Sequence, residues 1–346
     1  MIKITPSHLH RTAACPGWLN LAVPVQPYES SGVANEGILA HKTLECMLKG
    51  DKCPPDATRE MLSDATWAEN IISFHAEDAF DLGSETVVDL GFIYPGMSGR
   101  VDARTYEADG TLNIFDYKYG RRPVEARGNL QMIAYALGLV HGNPMPDRIV
   151  LHILQPNTNL QHNFHVYRGK DFYMEWFPRI KAICDNAVKG TELNSGDHCR
   201  YCPKAYNCPA LKADAVVPEI KLELMTPVEM CQALDEIKDI KELVNILQDS
   251  LEAVIISNIN TGTPGLTYQL EPGQGRLSWN SPNIIDKLKK VEKALGVSLI
   301  TEEPCTPTQA LSKKVPKEII DKLSERKPGK LSLKKIDFSA LFSEQS

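Results

Sequence analysis

Apolar residues recur three and four apart along 33–48, and again along Pro227–Ile259, the spacing of helices that bury one face. Further helices are expected over 58–81, 124–140 and 170–189. Between them Glu85–Tyr94, Met97–Tyr106, Leu112–Tyr119, 148–155 and 161–167 read as strands bounded by turn residues. Strands alternating with helices predict an α/β core with a mixed sheet flanked by helices. The texture changes after about residue 214, so a boundary is expected at 215–225. It separates a domain of residues 1–214 from a mostly helical extension, 215–346, that ends in a basic stretch.

The strands align acidic residues. If Ala108-Asp109-Gly110 forms a three-residue hairpin loop with Gly110 left-handed, Glu107 pairs with Thr111 and Asp102 falls opposite Asp116. A two-residue loop would send the two carboxylates to opposite faces. Alternation along Leu112-Asn-Ile-Phe-Asp116-Tyr-Lys118 points Asp116 and Lys118 to one side. Two carboxylates bind a hard divalent ion such as Mg2+ or Mn2+, and an adjacent ammonium offsets charge on phosphoryl oxygens. An isolated Asp-x-Lys, by contrast, is usually a solvated strand face.

Two helices contribute further candidates. Arg127, Gln131 and Tyr135 follow at four-residue spacing and read as one helix row facing a phosphate backbone, or as ordinary surface polarity with Tyr135 partly buried. His41 shares a row with Ile38, Leu44 and Leu48, which turns it inward as a core histidine or a metal ligand.

Of the nine cysteines, three stand in Cys199-Arg-Tyr-Cys202-Pro-Lys-Ala-Tyr-Asn-Cys208, a chelate spacing that lacks a fourth ligand. Cys15, in the turn-like Ala-Ala-Cys-Pro-Gly, is the expected fourth. Cys46, Cys184 and Cys231 read as core thiols. Four thiolates suit either zinc or an iron–sulfur cluster.

The net charge of −6 excludes a generally basic nucleic-acid coat protein but leaves room for a local basic groove. No apolar run of membrane-spanning length is present, and the amino terminus lacks signal-peptide character, so a cytoplasmic protein without membrane association is expected. Lys313–Lys335 carries nine Lys/Arg against three Asp/Glu, a stretch suited to nucleic acid, a partner or solvent. Trp279, in Gly275-Arg-Leu-Ser-Trp279, reads as a core residue in preference to a base-stacking one.

Taken in order, His41, Gly99-Arg-Val-Asp102, Asp116-Tyr-Lys118 and Gln131-x-x-x-Tyr135 resemble the RecB-like branch of the PD-(D/E)XK nuclease superfamily. The lone cysteine before these motifs and the triplet after them resemble its iron–sulfur subgroup. Asp-Tyr-Lys-Tyr-Gly120, Gln155-Pro156 and His198-Cys-Arg-Tyr-Cys202 look like a phage-encoded family within it.

The resemblance spans roughly residues 5–214. It implies a restriction-endonuclease-like core and metal binding by His41, Asp102, Asp116 and the carbonyl of Tyr117. It implies catalysis by Lys118 with support from Gln131 and Tyr135, and a [4Fe–4S] cluster on Cys15, Cys199, Cys202 and Cys208, with Zn2+ as the alternative. The activity implied is exonucleolytic hydrolysis of DNA, with phage replication or recombination proteins as partners. The rival expectation is a non-catalytic DNA-binding protein that keeps the fold.

Overall fold

The computed structural model describes residues 2–22, 32–217, 225–280, 283–300 and 304–336, which fall into two compact units, Met1–Val254 and Ile255–Ser346. The first unit opens with α1 (Leu9–Ala14), α2 (Gly32–Lys49) and α3 (Arg59–Ala76). Ser30 and Ser31, residue types that cap helices, precede α2 in the sequence and lie outside the described residues.

A five-stranded sheet follows, in spatial order β1 (Ala79–Asp89), β2 (Ser98–Glu107), β3 (Thr111–Tyr117), β4 (Arg148–Leu154) and β5 (His162–Arg168). Neighbours are antiparallel except β3 and β4, which run parallel and are joined through α4 (Leu130–Val140). Then come α5 (Gly169–Lys189), α6 (Pro209–Asp214) and the long α7 (Pro227–Asn260).

Both faces of the sheet are covered, as near-continuous burial along β3 and β4 requires. On one face Leu112, Ile114, Ile149 and Leu151 pack with Met132, Ile133 and Leu137 of α4 and Phe172 and Ile180 of α5. On the other, Phe115, Tyr117 and Leu154 pack with Ala40 and Leu44 of α2 and Ala65, Ala68 and Ile72 of α3. This is the mixed α/β architecture that the alternation of elements predicts.

Element limits differ in informative places. The helix expected to reach 81 stops at Ala76, and β1 begins at Ala79 and ends at Asp89, because Ala79–Ser84 pairs with the later half of β2. Residues expected to extend that strand instead turn, with Ile93 N–H donating to Leu90 O. In α2, Leu44 is buried but Ile38 is 65% exposed, so the row containing His41 turns inward only past its first residue.

The unit division falls inside α7, later than the boundary expected at 215–225, part of which lies outside the described residues. Leu243, Ile246 and Leu247 of α7 pack on Cys199 and Cys208, which ties the front of that helix to the first unit. The second unit carries α8 (Ile284–Leu295), α9 (Pro307–Ser312) and α10 (Lys317–Leu323) beside an antiparallel pair, β6 (Tyr268–Trp279) and β7 (Ser324–Lys335). The end of the basic stretch is therefore strand. Trp279 packs against the local core and donates its indole N–H to Cys305 O, the structural role expected of it. Among the described residues no helix is long and apolar enough to cross a membrane.

A polar chain runs under the α3 side of the sheet. His162 Nε2 lies 3.0 Å from His152 Nδ1, and His152 Nε2 lies 3.1 Å from Asn113 Oδ1. Asn113 donates to Glu107 Oε1, which also meets His75 Nδ1 at 3.0 Å. Since Asn113 Oδ1 only accepts, His152 carries its proton on Nε2 and accepts from His162. Burial, then the charges of His75 and His162, lower the His152 pKa well below its ordinary 6.5. The unfolded chain therefore binds a proton that the folded chain refuses, and stability falls as pH drops through the unfolded value. The thermal midpoint is expected to fall between pH 7.5 and 5.5, with a slope from this group of at most about 1.4 kcal/mol per pH unit. His152→Gln should flatten that dependence; an unaltered slope would remove His152 as its source.

Candidate active site

The hairpin between β2 and β3 sets the site. Gly110 has φ +80° and donates its N–H to Glu107 O, so the left-handed loop position falls on the residue that tolerates it. The ladder runs Tyr106↔Leu112 to Ala103↔Phe115, a register that puts Asp102 opposite Asp116 when continued by one pair. There the main-chain ladder ends. The Asp102 carboxylate takes over, accepting the Tyr117 N–H at 2.7 Å. Lys118 N–H donates to Leu154 O, carrying the parallel pairing with β4 one residue beyond β3.

Asp116 and Lys118 form an ion pair, Oδ2 to Nζ 2.8 Å, with side chains 6% and 27% exposed. No hydrogen bond in good geometry reaches that buried oxygen. Gln131 of α4 locks the pair: Nε2 donates to Asp116 Oδ1 at 3.3 Å and to the Tyr135 hydroxyl at 3.1 Å, and Oε1 stands 3.5 Å from Lys118 Nζ. His41 arrives from α2, its Nδ1 3.4 Å from Asp102 Oδ2 and its ring edge-on to Tyr117.

Burial pushes the Asp116 pKa up, against the pull of Lys118. Burial also opposes the charge on Lys118, but Asp116 outweighs it and the Lys118 pKa is raised. His41 is raised in the same way, Asp102 outweighing burial. The carboxylates thus favour the cationic forms of Lys118 and His41, while burial and Lys118 pull Asp116 in opposite directions.

Gly99 explains how α4 comes so close. A Cβ there would lie 2.3 Å from Tyr135 Cε1 and 3.0 Å from Pro6 Cγ. Gly99→Ala is expected to force the Tyr135 ring away from Gln131 and to cost about 1–3 kcal/mol by overpacking. Thermal melts check this, and Gly99→Ala with Tyr135→Leu should recover most of the loss.

Arg127 does not join the row expected of it. Gly128 at φ +69° and Asn129, whose Oδ1 caps Met132 N–H, start α4 at Leu130 and leave Arg127 in the preceding loop. Glu85, which the sequence did not single out, stands opposite Asp102 in the β1–β2 register, between Ser84↔Ala103 and Thr86↔Val101. Its φ of +50° is rare for a residue with a side chain, and its carboxylate pairs with Arg100 at 3.3 Å. Burial first, then the charge of Asp102, raise its pKa. Only a register places it there, so no local motif announces it.

The cysteines converge where α1 meets the segment after α5. Arg11 of α1 donates to the carbonyls of His198 and Tyr201, and Asn194 donates its N–H to Cys15 Sγ at 3.4 Å and its amide to Ala14 O. Cys15, Cys199 and Cys208 are buried, Cys202 half-buried, and each lies within electrostatic reach of the others. Burial, then the neighbouring thiolates, push Cys199 up to about 11. Cys46 and Cys184 are buried as expected, whereas Cys231 is exposed on α7 and is no core thiol. Among the described residues no three His, Cys, Asp or Glu side chains stand in a group that could hold a metal ion as they are.

The fold and site define a mixed α/β protein with a buried carboxylate–lysine pair at the end of its central strands. The chain belongs to DUF2800, a family described as proteins of unknown function, which it matches over residues 69–337. No curated protein matches it. Among solved structures it is similar to the protein SSO0001, at 13% identity and a TM-score of 0.32, over 61% of this chain and 87% of that one. It is also similar to a protein described as a putative exonuclease from Eubacterium rectale, at 10% identity and a TM-score of 0.35, over 65% of this chain and 94% of that one. At those scores neither likeness bears on the site.

Proposed function

We propose that this protein is a divalent-metal-dependent deoxyribonuclease of the RecB-like PD-(D/E)XK type, acting as an exonuclease. One observation carries the reading: the β2–β3 register aligns Asp102 with Asp116, and Lys118 sits 2.8 Å from Asp116. Two carboxylates and a carbonyl are the donors a hard cation takes, although the side chains would have to draw together to close on one. Apart from the Lys118 ammonium no donor meets the buried Asp116 Oδ2 among the described residues, and the charge of Asp102 bears on it. Asp102, Asp116 and the Tyr117 carbonyl would hold such an ion through oxygen. His41, with Nδ1 toward Asp102, keeps Nε2 for it. A bound Mg2+ or Mn2+ supplies Lewis acidity and lowers the pKa of a water.

The chain supplies the rest. Lys118 offers its ammonium to the attacking water or to a phosphoryl oxygen, where developing negative charge makes it worth most. Gln131 fixes the orientation of both partners, and Tyr135 fixes Gln131. The four thiols fit a four-thiolate group because Arg11 and Asn194 bring Cys15 to the triplet independently of any metal. A [4Fe–4S] cluster or Zn2+ there would cross-link the two ends of the nuclease segment. A setting in phage DNA replication or recombination rests on the motif resemblance alone.

The test is digestion of single- and double-stranded DNA by anaerobically purified protein with Mg2+, Mn2+ or a chelator. Metal-dependent release of nucleotides is expected; intact DNA under all three conditions would refute the reading.

A further inference from the structure

Residues 118–129, between β3 and α4, form neither helix nor strand, yet side chains from beyond β4 and on β5 hold their backbone. Gln155 donates through Nε2 to Gly120 O at 2.8 Å and to Arg122 O at 2.7 Å, and its Oε1 accepts the Val124 N–H at 3.0 Å. Asn157 donates to Tyr119 O, Asn163 accepts the Ala126 N–H, and the Tyr167 hydroxyl accepts the Gly128 N–H. Gln155 is 1% exposed, so its whole amide serves this one loop. Buried donors and acceptors met this fully fix a segment that has no ladder of its own.

The loop so fixed presents Arg121, Arg122 and Arg127, all exposed, on a chain of net charge −6. Arg122 is partnered, by Asp197 at 3.6 Å and Glu242 at 3.7 Å. Arg121 makes no hydrogen bond or ion pair among the described residues. Arg121 and Arg127 are thus held exposed on a fixed loop with no ion pair among the described residues. A phosphate of a polyanion would supply the missing partner at little further ordering cost. Arg121 lies three residues beyond Lys118, so the two Cα atoms are within about 11 Å. That span covers a few nucleotides at roughly 3.4 Å of rise each along one strand.

We propose that this loop is the substrate clamp of the nuclease: Arg121 pairs with a phosphodiester of the DNA strand neighbouring the bond at Lys118, and Gln155 is the positioning residue that holds it there. The assignment rests on the nuclease reading for its substrate. It adds a backbone subsite that reads phosphate and not sequence.

The experiment measures binding of fluorescent single-stranded DNA over a series of salt concentrations, with chelator present so that no strand is cut. Arg121→Gln is expected to weaken binding several-fold, to lower the slope of log K against log salt by about 0.7, and to leave the thermal midpoint unchanged. Gln155→Ala should give the same loss of affinity and slope, together with faster tryptic cleavage after Arg121 and Arg127. Should Gln155→Ala not fold, Asn157→Ala carries the test through a smaller change of the same kind. Wild-type slope and affinity in Arg121→Gln would overturn the clamp while leaving the nuclease reading standing. A slope that depends on Arg121 in a protein that never cuts DNA would remove the nuclease and keep the DNA contact. Absence of any DNA binding by the wild type would overturn both.

Discussion

Under the proposed function, Lys118→Met is expected to abolish cleavage and, unlike most active-site substitutions, to destabilise the fold. Asp116 is 6% exposed and has Lys118 as its ion-pair partner at 2.8 Å, so removing the ammonium strands a buried carboxylate. Breaking such a pair from one side costs about 3–5 kcal/mol. Loss of one charge-stabilising group from the transition state costs about 10²–10³-fold in rate. Denaturant melts and single-turnover cleavage separate the two effects. In the double variant Lys118→Met with Asp116→Asn, no charge remains to be buried, and stability should return to near the wild-type value while cleavage stays absent. If the single variant melted like the wild type, Asp116 would already be neutral in the folded protein.

Cys199→Ser, or Cys15→Ser from the opposite end of the segment, is expected to produce the second large effect: a melt far below the wild type and, if the bound group is the proposed cluster, loss of visible absorbance. Cys199 packs with Cys208, Ala205, Leu211 and Ile246, so the thiols sit inside a hydrophobic cluster rather than on a surface loop. Free thiols there are held protonated by burial, and a thiolate-bound group stabilises the fold in proportion to its affinity. Cys231→Ser, on the exposed face of α7, should change neither property. Brown protein with iron and sulfide identifies a cluster; colourless protein with one zinc identifies the alternative. Wild-type stability in both Cys199→Ser and Cys15→Ser would show that no group is held there.

The pairing of Asp102 with Asp116 was legible in the sequence because a single loop decides it. Ala108-Asp109-Gly110 offers one left-handed position, and the register follows from it along the whole hairpin. The Asp116–Lys118 pair needed only strand alternation. His41 was placed on the correct helix, but its row was read as wholly inward, whereas Ile38 is exposed and His41 meets the site at the end of the sheet.

The start of α4 was readable in principle, since Gly128-Asn129 before an apolar periodic run is a stop followed by a cap. Apolar spacing alone carries the helix back to residue 124 and takes Arg127 with it. Glu85 and Gln155 were beyond reach for another reason. Each acts on residues distant in the chain, across a strand register or into an irregular loop; Glu85 leaves no period or motif, and the motif wording Gln155-Pro156 does not say which loop its amide holds. The extension after residue 214 was read as mostly helical, and its strand pair draws on segments more than forty residues apart.

The account stands most directly on one digestion. End-labelled single- and double-stranded DNA is incubated with Mg2+ or Mn2+ and with anaerobically purified wild type, Asp116→Ala or Lys118→Ala. Metal-dependent loss of label with the wild type alone is expected of the proposed nuclease, the product ladder giving the polarity. DNA bound by all three proteins and cut by none would contradict it and leave a DNA-binding protein that has the fold without the chemistry.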